Sequence, residues 1–161
     1  MADHESIQSD HNYHGEWLAA LRAYLIVSVV AHFLWEIGHL PFYTLWAAGT
    51  FTGKAIAVFH CTAGDVIIAV VSLVGAIALI ARRDWPAQRF LLVSALTLLF
   101  GIVYTIFSEW INLVVRKSWA YSDLMPTIPQ LGTGLTPLLQ WIVVPALALF
   151  AAKRAAKSKL D

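Results

Sequence analysis

The chain holds a single cysteine, Cys61, among 161 residues, which excludes an intramolecular disulfide and any Cys-x-x-Cys metal or redox motif. Charge is scarce as well. Only 13% of the residues are Asp, Glu, Lys or Arg, against about 25% in soluble domains, so a string of soluble domains is excluded. No basic patch interleaved with aromatic residues is present, which argues against nucleic acid as a partner. There is no His-Glu-x-x-His pair and no internal repeat, so an inverted-repeat transporter architecture gains no support. Lys and Arg are missing altogether from the first 17 residues, "MADHESIQSDHNYHGEW", which carry four acids. A signal peptide needs a basic start. Residues 1–17 therefore read as a disordered, solvated tail, and the first apolar run as a retained signal anchor. His4, His11 and His14 in that tail are treated as incidental.

What the chain has in quantity is apolar residues, 59% of the total. About 20 of them in a helix cross a ~30 Å hydrocarbon core, and four runs qualify: about 21–40, 55–81, 90–114 and 135–152. The expected fold class is all-α, an integral membrane four-helix bundle over 18–152, followed by a basic tail over 153–161. Pro41 ends the first span and Pro145 kinks the fourth. Gly64, Gly75 and Gly101 are candidates for close helix approach. With four spans both termini share one side with the 82–89 loop. That side carries Arg22, Arg82, Arg83, Arg89, Lys153, Arg154, Lys157 and Lys159; the other carries Lys54, Arg116 and Lys117. Eight against three predicts cytoplasmic termini under the positive-inside rule, in a multi-pass protein of the cell membrane, of the bacterial inner-membrane kind. The longest connection, "RKSWAYSDLMPTIPQLGTG" over 116–134, holds Pro126, Pro129, Gly132 and Gly134 and reads as an irregular, partly rigid cap on the outer face.

Ionisable residues are expensive inside a bilayer and mark functional sites by default. The stretch "HFLWEIGH" puts His32, Glu36 and His39 at i, i+4 and i+7, on one face of the first helix. The second span brings His60 and Asp65 in "HCTAGD", with His60 about 140° away from Asp65 on an ideal helix. The third brings Glu109 in a polar stripe of Thr105, Ser108, Asn112 and Arg116, where a Glu109–Arg116 salt bridge is the structural alternative. The fourth adds only Gln140 and Trp141. Six ionisable residues from three helices thus fall in the outer half of the membrane.

Three readings follow. Imidazoles with carboxylates suit a transition-metal ion and, through axial histidines, haem. The metal set would be His32, Glu36, His39, His60, Asp65 and Glu109, and the haem ligands would come from His32, His39 and His60. This is the leading expectation. The second is acid–base chemistry by Glu36, His32, Glu109 and Asp65 on a lipophilic small molecule arriving from the membrane lipids. The third is a non-catalytic membrane subunit, in which transport would require a homo-oligomer.

"HFLWEIGHLPFY", "HCTAGD", "SEW" and "WAYSDLMPTIP" with "GTGLTPLLQW" together resemble a family of small bacterial four-span integral membrane proteins, over nearly the whole chain after residue 30. That resemblance implies the fold and transfers no activity. A much weaker similarity is to the emopamil-binding sterol isomerases. Their His-x-x-x-Glu pair is matched by His32 and Glu36, and their second membrane Glu by Glu109. The acidic-Ser-Arg-Tyr stretch of that family is absent here, so the similarity implies only a type of site.

Overall fold

The computed structural model describes residues 2–81 and 85–158, with side chains from Gly15 onward. Arg82, Arg83 and Lys159, which enter the charge count, and the histidines of the first 14 residues lie outside what is described. Four long helices carry the fold: α1 (Ala2–His39), α3 (Phe51–Ala76), α4 (Phe90–Trp110) and α5 (Leu135–Lys157), with a short α2 (Leu45–Ala48) after α1. The described residues contain no strand, only the isolated bridges Tyr43–Tyr121 and Thr127–Gly134. Counting the turns that extend α1, α3 and α4, the segments Gly15–Phe42, Phe51–Ala81, Phe90–Val115 and Leu135–Lys157 are long and apolar enough to cross a membrane. The protein is an all-α, multi-pass membrane bundle.

Each boundary has a local cause. Pro41 lacks an N–H for the α-helical ladder, and α1 gives way there to a 3₁₀ turn, Leu40–Phe42. The Thr50 hydroxyl accepts from the Gly53 N–H at 3.1 Å and caps α3. Both α3 and α4 end in π-helical turns, Ile77–Ala81 and Ile111–Val115. Lys117, at φ 53°, then turns the chain out of α4. Pro145 is accommodated inside α5.

Two ends differ from expectation. The stretch 1–17 is helical from Ala2 rather than irregular; it lacks proline and has no glycine before Gly15. At the other terminus α5 runs past 152 through Lys153, Arg154 and Lys157, cations that favour a helix C-terminus.

The long helices pack in ring order α1, α3, α4, α5, with the α1–α5 seam the most extensive. One cluster joins Ala20 and Tyr24 of α1 to Ala69, Leu73 and Ala76 of α3, Val93 at the start of α4, and Ala148, Leu149 and Ala152 late in α5. An early part of α1 thus meets late α3, early α4 and late α5, so neighbours in the ring are antiparallel and both termini lie at one end. The seam is built from small residues because lipid tails are as apolar as the side chains, and close packing is what holds membrane helices together. Tyr24 Oη of α1 donates to the Ala69 carbonyl of α3 at 3.1 Å. Leu25, Ile26, Val30, Leu34 and Ile37 face outward, while Ser28, His32, Glu36 and His39 of the same helix are buried. This is the distribution a bilayer imposes. Of the three glycines, only Gly101 is needed for close approach: a Cβ there would overlap the Trp141 ring. Gly75 would meet Phe100 at an ordinary 3.8 Å, and nothing lies within 4 Å of a Cβ at Gly64.

Candidate functional site

At the end of the bundle away from the termini, α1, α3, α4 and α5 enclose a cavity of about 400 Å³, within the usual range for small-molecule sites. Glu36 and His39 of α1, Asp65 of α3, Glu109 of α4 and Gln140 of α5 all line it. The 116–134 segment closes the end. It is tied to the α1–α2 connection by Thr44 N–H to the Ala120 carbonyl at 3.0 Å and Ser122 N–H to the Phe42 carbonyl at 2.9 Å. The Ser122 hydroxyl adds a bond to the Pro41 carbonyl at 3.0 Å. The expected irregular cap is therefore a fastened one.

Gln140, buried at 2% exposure, is the hub. Its Nε2 lies 3.0 Å from His32 Nδ1, 3.0 Å from Glu36 Oε1 and 2.9 Å from Asp65 Oδ2. In this orientation the amide N–H₂ donates to the two carboxyl oxygens. His32 Nδ1 is itself 3.5 Å from Asp65 Oδ2, and His39 Nε2 is 3.2 Å from Glu36 Oε2. A continuous chain results, His39–Glu36–Gln140–Asp65–His32, spanning three helices.

The proton count of this chain is its main chemical property. A primary amide has two N–H protons, and three potential acceptors surround Gln140 Nε2. A proton on His32 Nδ1 would face Asp65 Oδ2 at 3.5 Å. Of the groups joined through Gln140, Glu36 and Asp65 face the cavity.

Glu109 is held separately. Tyr121 Oη of the cap donates to Glu109 Oε2 and accepts the Gly134 N–H at 2.8 Å. Burial, and then the Glu109 carboxylate, push the Tyr121 phenol above its ordinary value, so it remains a donor throughout the neutral range. The alternative expected for Glu109, an ion pair with Arg116, does not form: among the described residues the ion pairs are His32–Asp65 and His39–Glu36. Arg116 is exposed at the cavity's outer rim.

His32, Glu36, His39, Asp65 and Glu109 are thus gathered at one end, as the spacing predicted. They do not all reach the cavity. His32 is fully buried behind it and stacks tilted on Trp141, with ring centroids 5.3 Å apart. His60 is exposed on α3 and lines only the cavity wall, as the 140° offset from Asp65 implied. Among the described residues no group of three or more His, Cys, Asp or Glu side chains is disposed to hold a metal ion. The physical reason is visible at Gln140, whose amide donor occupies the focus of His32, Glu36 and Asp65 where a cation would have to sit. The residues therefore do not fit the expected metal centre.

Three contributors carried little signal in the sequence. Gln140 stands alone in "LLQWIVVP", and a single amide in an apolar span is costly unless it is bonded; that cost was its only mark. Tyr121 looks like an interfacial aromatic until the cap folds back on Glu109. Tyr43 meets both the His39 ring and the Tyr121 ring, at centroid distances of 5.3 and 5.5 Å, and nothing local in the sequence distinguishes it. Compared with known proteins, the chain matches no protein-family model, no curated protein and no solved structure.

Proposed function

We propose that this protein is a membrane-embedded acid–base catalyst acting on a lipophilic small molecule, of the isomerase type. One observation carries the reading: two cavity-facing carboxyl groups, Glu36 and Asp65, both accept from the Gln140 amide, with His32 behind them. On this reading the pair shares one proton, one member being the acid and the other the base. Moving a hydrogen within a substrate takes one acid and one base and leaves the site's proton count unchanged. A proton delivered to one carbon by the protonated carboxyl group, which becomes a carboxylate, is balanced by a proton removed from a neighbouring carbon by the other, a carboxylate that becomes the acid. Positioned groups of this kind contribute about 10²–10⁴-fold each. His32 holds the proton inventory without touching substrate, and Glu109, fixed by Tyr121, bounds the cavity near its capped end. The Trp141 and Tyr104 side chains in the lining suit an apolar or transiently cationic substrate. The metal reading gives way because the Gln140 amide stands among His32 Nδ1, Glu36 Oε1 and Asp65 Oδ2, where a cation would have to sit. The charge bias of the loops supports cytoplasmic termini in a bacterial inner membrane.

The test is isotope exchange. Reconstituted protein is incubated in D₂O with a total lipophilic extract of its host membrane, and the extract is followed by mass spectrometry. A species gaining deuterium with the wild type, and not with Glu36→Gln or Asp65→Asn, is the expected result. No exchanging species, or exchange at the same rate with both variants, would overturn the proposal.

A further inference from the structure

A second concavity lies at the opposite end of the bundle, between α4 and α5, and is independent of the acid–base site. It has a volume of about 620 Å³, and its wall includes Phe90, Leu98, Ala146 and Leu149. Its rim carries Lys153, Arg154 and Lys157, all exposed. Lys153 Nζ stands 4.7 Å from the centroid of the Phe90 ring, and the Arg154 guanidinium 5.4 Å from that of Phe150. Among the described residues no carboxylate pairs with any of the three. The wall also contains Ser94, whose buried hydroxyl has no protein partner.

Length identifies the occupant. From Phe90 to Leu98 the wall on α4 follows about two turns of helix, about 12 Å at ~1.5 Å per residue. That lies within one leaflet, half of a ~30 Å hydrocarbon core. The groove is apolar over this depth and cationic only at its mouth, the division of one lipid into acyl chain and headgroup. Three cations that pair with no carboxylate among the described residues favour a headgroup of net negative charge; a zwitterionic headgroup would bring a cation of its own into the cluster. By the loop charge count this mouth opens on the cytoplasmic leaflet, where anionic lipid is enriched.

We propose that the α4–α5 groove is a binding site for an anionic glycerophospholipid, with an acyl chain along Phe90, Leu98 and Leu149 and its phosphate against Lys153, Arg154 and Lys157.

Native mass spectrometry of the full chain, with phosphatidylglycerol and phosphatidylcholine of identical acyl chains, tests it. Phosphatidylglycerol should be retained more than tenfold over phosphatidylcholine. Each Lys or Arg replaced by Gln should cost about fivefold, the usual increment for a cation at an anionic surface. K153Q/R154Q/K157Q should lose the preference without loss of fold, since all three side chains are exposed. Ala146→Phe, which fills the groove and leaves the cations in place, should lose the lipid as well. Equal retention of the two lipids, or an unchanged preference in the triple variant, would overturn the proposal. So would displacement of the lipid by millimolar inorganic phosphate alone, which would mark a free-anion site. A Ser94→Cys cross-link between two copies in bilayers would also overturn it, because a second chain would then cover the groove.

Discussion

Replacing Gln140 with leucine keeps the side-chain volume nearly unchanged and removes the one donor among His32 Nδ1, Glu36 Oε1 and Asp65 Oδ2. Two opposing magnitudes set the expected cost. Hydrogen bonds to charged groups contribute about 1.5–3 kcal/mol each in soluble proteins, and two N–H protons would give about 3–6 kcal/mol. Interhelical bonds inside membranes average only about 0.6 kcal/mol and reach about 1.7, because the unfolded chain in lipid also finds partners. The membrane figure governs the bonds themselves. The loss also leaves two carboxyl oxygens facing each other without a donor between them, which brings the expected destabilisation to about 2–3 kcal/mol. Reversible unfolding in mixed micelles measures it. The informative comparison is a double-mutant cycle with Glu36→Gln. A neutral amide at 36 can itself donate to Asp65, so Gln140→Leu should cost less than half as much in that background. If Gln140→Leu unfolds like the wild type, or if its cost is the same in both backgrounds, the amide does not hold the carboxyl pair and the proton-sharing argument fails.

Two other perturbations have definite expectations. Gly101→Ala forces a methyl into the Trp141 ring and should cost about 1–3 kcal/mol, the usual penalty of overpacking, read as a lower melting temperature in detergent. Tyr121→Phe removes the donor to Glu109 and the acceptor of the Gly134 N–H and should cost about 1 kcal/mol, seen as faster proteolytic nicking of the 116–134 cap. The wild-type cap should show a pH dependence that the variant lacks. Because the folded-state Tyr121 phenol titrates above its ordinary value, its contribution is complete below about pH 10 and is lost as pH rises from there toward the raised value. A cap that loosens on acidification instead would contradict this assignment.

The sequence by itself determined the class of protein, the four spans, the shared side of the termini and the end of the bundle that holds the ionisable residues. All of these follow from local properties: apolar run length against bilayer thickness, Lys and Arg counts, and the 3.6-residue period that stacks His32, Glu36 and His39 on one face. Tertiary structure alone decided which partners meet. Gln140 is 104 residues from Glu36 and 75 from Asp65, and no periodicity within α5 reports what crosses it. The rotation of α1 against α5 turned His32 behind the cavity, and the fold-back of the cap gave Glu109 a tyrosine where an arginine seven residues away was the local candidate. A metal site and an amide-centred proton network use the same residue types at the same spacings. What separates them is whether a cation or an N–H donor stands at the focus of the acceptors, and the packing of α5 against α1, with Gln140 reaching Asp65 of α3, put the donor there.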